Sequence, residues 1–463
     1  MKTPVVHMHS DMGPYSKVVS LCLRRLGVVR SIGLSDLLRR GESVQTWVSV
    51  SDHTLLDTQV LSQEQGGAGD VLAVPVVATY EQGKGRWWGG GRVRVDFDQP
   101  VSVKEMVTGK TNEEKGQFLA QHMEFNRRNL GRVTASQLVG FVLMTGYCQG
   151  RGVAEVTRGV EEIRGFLTDR GVDVAFNGEG AEVVEWGVSM LGGRVSKGEV
   201  KLNSNGEEEM WKQGRYVEQF FVPEAVIGAV VMSLVGQQLD CFKEGTKEGS
   251  ITVSQEKLMK RGELLLRLLG EDKRQVPPCA EIAGVLVEGI TRAERWEGLG
   301  KVQGPRESQH GQGKWSRRVA RQVDIENDWQ EDVDRYVDTE LVVGVSIAGR
   351  KWLKWVAGIL RPRVRNMMYT TQVLHKVLDQ GVVRMEDVVM WVKEEVEKRN
   401  KVWNVAIICG DRELTERAIE VLVSAGVVTV VIEAGVKWVS VTEMFDSREM
   451  VEEVVRTVME YKC

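Results

Sequence analysis

The chain has 463 residues, 42% of them hydrophobic and 27% charged, the balance of a globular protein with room for more than one core. Its 61 basic and 65 acidic residues leave a net charge of −4, too little of either sign to draw nucleic acid or an acidic membrane surface by a general field. Cys22, Cys148, Cys241, Cys279, Cys409 and Cys463 form no CxxC pair, which removes zinc-ribbon and thioredoxin-like sites and reads as free thiols in a reducing compartment.

Residues 1–110 read as a truncated α/β domain. The chain opens on Pro4-Val5-Val6-His7-Met8-His9-Ser10-Asp11, and a helical pattern follows over Tyr15 to Leu26. Arg24, Arg25, Arg30, Arg39 and Arg40 with few acids share the composition of a transit peptide, yet read more simply as a solvated face. Val71 to Tyr80 is a buried strand, and Pro75, which has no N–H, places it at a sheet edge or at a bulge. Arg92 to Phe97 alternates, with Val93, Val95 and Phe97 on one face and Arg92, Arg94 and Asp96 on the other. The glycines around Lys84 and at 89–91 lack the strand-before, helix-after setting of a phosphate cradle.

Residues 111–299 turn helical, with candidates at 112–128, 134–148, 152–170, 180–191, 222–239, 254–269 and 279–295. Ser254 is placed to cap the helix that carries Leu258. Asn177-Gly178 and Gly192-Gly193 mark turns. The apolar run Ala225 to Val235 is shorter than the roughly 20 residues a membrane span needs, so it is expected to be a buried core helix. Residues 300–340 read as a charged linker, basic around Lys314 to Arg321 and acidic from Asp324 to Glu340. The region 341–463 is helical again, with helices over Leu341 to Leu360 and Val364 to Leu378 parted by Pro362. A helix over Met385 to Arg399 and another over Glu413 to Ala425 lead into a hairpin around Ala434-Gly435. That is the outline of a winged helix, but Glu394, Glu395, Glu397 and Glu413 argue against a basic recognition face, so nucleic acid is not an expected partner.

Three stretches carry a family resemblance. Val93-Arg94-Val95-Asp96-Phe97 running into Gln99-Pro100-Val101-Ser102-Val103-Lys104-Glu105-Met106 resembles the VRVDF strand and QPFSLKEY-like turn that close the catalytic domain of the glycerol-3-phosphate acyltransferases. Val74-Pro75-Val76 through Tyr80 resembles the family's IPVxISYD strand. The order of the small-residue helix Thr134 to Leu143, then Val172 to Gly178, Phe220 to Ala229 and the Gly426 turn resembles the mitochondrial members, above all their divergent second isoform, from partway through the layout onward. The resemblance implies an α/β acyltransferase-like N-terminal portion with an incomplete mixed sheet, followed by a mostly α-helical C-terminal region with a helix–hairpin end.

It implies transfer of an acyl group from acyl-CoA to glycerol-3-phosphate, giving lysophosphatidic acid for phospholipid biosynthesis at the mitochondrial outer membrane. Acyl-CoA is then a co-substrate, and neither a further cofactor nor a metal is needed. The family's histidine base and its aspartate are spaced H-x4-D at a helix start. Here His7 and Asp11 are spaced H-x3-D, one residue short, and His9 is the second candidate. Alignment on Pro4 and Asp11 sets the family's histidine column at Val6. The family's phosphate loop, F-x-E-G-T-R-S, corresponds to Trp47-Val48-Ser49-Val50-Ser51-Asp52-His53-Thr54, with no Gly and no Arg, so no substrate-binding residue is identified. Two readings lead, with a helical nucleic-acid adaptor as a weaker third. One is an acyltransferase, which binds acyl-CoA, glycerol-3-phosphate and a membrane surface. The other is a catalytically silent, membrane-associated scaffold with protein partners, in the manner of the second isoform's link to germline small-RNA (piRNA) processing.

Overall fold

The computed structural model describes residues 5–9, 29–30, 45–49, 72–81 and 92–108, parts of 111–130, then 131–147, 151–241, 251–271, most of 275–301, 340–403, 412–445 and 448–461. The chain divides into two compact units, Met1–Phe221 with Glu271–Glu281, and Val222–Gly270 with Ile282–Cys463.

The first unit opens on a mixed sheet, as the α/β expectation required. Strands β1 (Val5–His9), β2 (Val29–Arg30), β3 (Gln45–Ser49) and β4 (Leu72–Glu81) run parallel in the order β2-β3-β1-β4. Strands β5 (Arg92–Phe97) and β6 (Val101–Ser102) then pair antiparallel with the free side of β4. Ser102 caps helix α1 (Val103–Val107) by accepting from the Glu105 N–H at 3.0 Å.

Of the two places expected for Pro75, an edge or a bulge, the edge is corrected, because β4 is interior, and the irregularity is there: between Ala73↔Val101 and Val76↔Phe97 two residues of β4 face three of the partner. Pro75 ends the parallel ladder, opposite Met8, and its carbonyl accepts from the Asp98 N–H at 3.0 Å. In a strand the N–H and C=O of one residue point the same way. The missing donor of Pro75 therefore faces 98–100, the gap between the β6 ladder at Leu72–Ala73 and the β5 ladder that starts at Val76. An interior strand tolerates this proline because the sheet asks for no hydrogen bond at that point.

After the sheet comes one arrangement three times over among the described residues: helix, strand, two helices, hairpin, helix. In the first copy, α2 (Ala135–Thr145) begins at Thr134, whose hydroxyl and backbone form a reciprocal capping box with Gln137, and it stops at Gly146 with φ 62°. Helices α3 (Val153–Asp169) and α4 (Gly180–Met190), the hairpin β7 (Arg194–Ser196) and β8 (Glu199–Lys201), and α5 (Ser204–Glu218) follow. The first strand is reduced to a bridge, in which Val200 donates to the Arg151 carbonyl and Val153 to that of Gly198, each at 2.8 Å.

The second copy, in the second unit, comprises α6 (Val222–Cys241), β9 (Thr252–Ser254), α7 (Gln255–Leu268), α8 (Ile282–Arg295), β10 (Leu299–Lys301), β11 (Glu340–Val343) and α9 (Ile347–Ile359). Ser254 caps α7 as expected, accepting from the Lys257 N–H. The third comprises α10 (Arg361–Gln380), β12 (Val382–Arg384), α11 (Met385–Trp403), α12 (Arg412–Ser424), β13 (Val428–Glu433), β14 (Val436–Val441) and α13 (Arg448–Met459). In each copy the strand order in the sheet is first, third, second, the winged-helix order.

Three local expectations change. Leu341 to Val343 is strand rather than the start of a helix. Pro362 lies in the first turn of α10, where its missing N–H costs nothing, so the helix break falls just before it. The charged stretch read as a linker joins β10 to β11, two strands paired directly to each other, so both of its ends lie in one small sheet. The apolar run at Ala225 is the middle of α6, and Ala225 to Ile227 and Ala229 to Val231 are buried in the core, as expected of a core helix. By length and composition one helical run, Ser204–Gly236, passes as a membrane span, and 72% of its apolar window is buried within the fold.

In the first two copies the first and last helices cross closely through glycine. A Cβ on Gly140 of α2 would lie 2.9 Å from the Met210 carbonyl oxygen, and one on Gly214 of α5 would lie 2.9 Å from the Gly140 carbonyl carbon. In the second copy a Cβ on Gly228 of α6 would meet the backbone N of Ala357 in α9 at 3.1 Å. Backbone cannot yield as a side chain does, so Gly214→Val is expected to cost about 1–3 kcal/mol in urea unfolding. Gly284, in α8 with open space around its Cβ position, is the contrast. Gly284→Ala is expected to leave stability unchanged or raise it by up to about 1 kcal/mol.

Candidate active site

Two of the three sequence-predicted site residues lie in β1, the strand flanked on both sides by parallel partners. His7 stands opposite Trp47 of β3 and Val74 of β4, and His9, the last residue of β1, stands opposite Ser49. The backbone at His7 is thus extended, and the helical start expected there is replaced by strand. Ligands of open α/β sheets gather outside the carboxyl ends of the parallel strands. His9 occupies that end of β1, and His7 lies two residues inside it. Asp11 lies outside the described residues, as do residues 50–54 of the stretch aligned with the phosphate loop, while Trp47 to Ser49 finish β3. A five-residue step from His9, the family's spacing, falls on Pro14, which is no acid.

Behind this strand the sheet is fastened to the first helical copy by four charges. On β5, the Arg94 Nε lies 2.9 Å from the Asp96 Oδ1, as the shared polar face of that strand predicts. Arg132, just before α2, reaches the same oxygen with its Nε at 3.5 Å and the Asp173 Oδ2 with its Nη1 at 3.3 Å. Arg94 also reaches Asp173, at 3.4 Å. The backbone carries the join further. Arg132 N–H donates to the Thr79 hydroxyl of β4, and residues 131–133 pair with 173–175 through Val133 N–H to Asp173 and Ala175 N–H to Val133. The VRVDF strand and the Val172 to Gly178 stretch, two of the segments that carry the family resemblance, thus meet in space.

The side chain of Asp96 is only 10% exposed, and its Oδ2 has no hydrogen-bond partner among the described residues. Two arginines against two aspartates leave no surplus cation, so the cluster is a clamp and not a phosphate site. Asp173 was singled out in the sequence only as part of a matching stretch, and Arg132 not at all. Arg132 and Asp173 lie 35 and 76 residues beyond the end of β5, and no local periodicity announces their partnership with it. Among the described residues no group of three or more His, Cys, Asp or Glu side chains could hold a metal ion.

Replacing one member of a mostly buried ion pair strands the other's charge. Asp96→Asn and Arg132→Gln are each expected to cost about 1–3 kcal/mol in chemical denaturation, and the double mutant less than their sum. Additive losses would remove the coupling.

His122, packed edge-on to the Phe118 ring at 5.3 Å between centroids, carries a second testable charge. Burial lowers its imidazole pKa from the ordinary 6.5. The unfolded chain then binds the proton more readily than the folded one. The stability this imposes is complete above pH 6.5 and is lost as the pH falls from there toward the lowered folded value. Thermal midpoints of wild type and His122→Leu are expected to converge or cross as pH drops from 7.5 to 5, with the wild type showing the steeper decline.

The sequence pattern of the glycerol-3-phosphate acyltransferase C-terminal region matches residues 89–429. The matched span takes in β5, the clamp residues and most of the threefold helical array, and it begins after β1 to β4. No curated protein matches the chain. A match over most of its length, with the matching segments joined to one another by the Asp96 clamp, places this chain in the glycerol-3-phosphate acyltransferase family through that C-terminal region.

Proposed function

We propose that the chain is a glycerol-3-phosphate 1-O-acyltransferase whose base is a β1 histidine, His9 before His7. The observation that carries this reading is the place of His9, at the carboxyl end of a central parallel strand in a sheet whose β5 edge begins the family match. The imidazole would take the proton of the C1 hydroxyl of glycerol-3-phosphate as the oxygen attacks the thioester carbonyl of acyl-CoA. Collapse of the tetrahedral intermediate breaks the C–S bond, the imidazolium returns its proton to the departing thiolate, and the products are lysophosphatidic acid and CoA. An acyl-CoA substrate and a lysophosphatidic acid product both partition to bilayers. That favours a membrane surface, and by the resemblance the mitochondrial outer membrane, as the place of action.

A second reading rests on a different observation. The stretch from Trp47 to Thr54 offers no Gly and no Arg to hold a phosphate, and its Asp52 would repel one. On that reading the chain is a catalytically silent, membrane-associated scaffold that binds other proteins through its helical array, and a role in germline small-RNA processing would follow from the mitochondrial resemblance. Direct nucleic-acid binding is not part of it. The second helix of the two-helix turn in the first copy, α4, exposes Glu182 and Glu185. In the third, Arg412 and Arg417 of α12 are held by Glu416 and Glu413 on the same helix.

Transfer of radiolabelled acyl-CoA onto glycerol-3-phosphate separates the two. The enzyme reading expects lysophosphatidic acid from the wild type, a loss of at least 100-fold in His9→Ala, and a smaller loss in His7→Ala. Product from neither wild type nor mutant supports the scaffold. Equal product from wild type and both mutants rejects a β1 base.

A further inference from the structure

The three winged-helix copies differ at one strand. In each, the second strand of the hairpin sheet is an edge, with one side unpaired among the described residues. In the first copy that edge is β7, three residues with Arg194 at its start. In the second it is β10, three residues that contain Gly300 and Lys301. Short strands, charge and glycine are the usual protections against edge-to-edge pairing. The third copy has neither a short strand nor a glycine there, and its charge stands only at the far end. Strand β13 is six residues long and reads Val428-Thr429-Val430-Val431-Ile432 before its first charge at Glu433, with Val431 46% and Ile432 66% exposed.

The direction of its free hydrogen-bonding groups follows from the ladder. The Thr442 N–H donates to the Val427 carbonyl, so Val427, and by alternation Thr429, Val431 and Glu433, face β14. Val430 and Ile432 then turn their N–H and C=O groups to the open side. Val428 does too, but it is buried, so the accessible edge is the stretch from Val430 to Glu433.

We propose that this edge pairs with the same edge of a second copy of the chain, antiparallel, about a two-fold axis at Val431. In that register Val430 of one copy exchanges both backbone hydrogen bonds with Ile432 of the other, and the reverse, giving four new bonds. Val431 meets its own counterpart as a non-hydrogen-bonded pair with Cα atoms about 4.5 Å apart. The charges fit a two-fold. The segment is neutral up to Glu433, and Glu433 falls opposite Thr429 of the other copy, so no like charges face each other. A two-fold, self-complementary contact is also the commonest way a surface of this kind closes on itself. The result is one continuous six-stranded sheet, with the exposed Val431 and Ile432 at its centre.

Sedimentation of the full chain tests the proposal. The wild type is expected to be dimeric at micromolar concentration. Val431→Lys, a charge at the axis, and Ile432→Pro, which deletes an edge-facing donor without touching the β14 ladder, are expected to be monomeric with unchanged thermal midpoints. Oxidation of Val431→Cys is expected to yield a cross-linked dimer beyond any formed by the native cysteines, and Thr429→Cys is not. A monomeric wild type, dimers that survive both edge variants, or equal cross-linking at 429 and 431 would overturn it.

Discussion

Everything in the first unit depends on β4 being paired on both sides at once. Its first half holds β1 in parallel, and its second half holds β5 antiparallel, with Pro75 at the changeover. The histidines that could do chemistry lie on one side of that strand, and the segment that identifies the family begins on the other. The Asp96 clamp then ties β5 to the first helical copy. Two features that look like defects, a proline inside a sheet and a carboxylate nearly out of water, are what the arrangement requires. The proline sits where no donor is asked for, and the carboxylate has two guanidinium groups to face.

Beyond the sheet the chain repeats one solution three times. A helix, a two-helix turn and a small wing make a core too thin to stand alone, and the closing helix of each copy covers the opening one. Glycines set the distance of approach at Gly140 with Gly214 and at Gly228, so similar packing recurs without similar sequence. Helix α4 exposes the carboxylates of Glu182 and Glu185, and the arginines of α12 pair with glutamates of the same helix, so the winged-helix outline by itself assigns no function. Within the second unit the second and third copies are joined by the buried Tyr461, whose hydroxyl donates to the Arg261 carbonyl of α7 at 3.1 Å.

Local signals in the sequence were legible where the physics is local. The alternation of Arg92 to Phe97, the Ser254 cap, the left-handed Gly426 and the Ala434-Gly435 turn all lie in the chain as read, because each rests on a few neighbouring residues. The class followed too, a mixed sheet and then a mostly helical region with a hairpin near its end. The threefold repetition stayed hidden because most strands of its first two copies are three residues long or a single bridge, too short for a period to show, and because a long charged stretch separates β10 from β11. Leu341 to Val343 read as helix because three apolar residues before a helical pattern carry no alternation of their own. Pro75 left an edge or a bulge open, and only the register decides between them, since β4 is interior and the ladder breaks where Pro75 falls. Of the candidate site, the sequence supplied His7, His9 and Asp11 from a motif, and the first two fall in β1 while Asp11 lies outside the described residues. The clamp partner Arg132 could not have been read, since only the fold brings it to Asp96.

For function, the consequence is that the catalytic question turns on whether β1 belongs to the same cooperative structure as the family-matched region. Native-state hydrogen exchange on the intact chain measures this most directly. If β4 binds the two together, the hydrogen-bonded amides of Val5 to His9 and of Arg92 to Phe97 open with one common free energy and converge with added denaturant. Exchange of the β1 amides at the rate of unstructured chain, while those of β5 stay protected, would contradict the account.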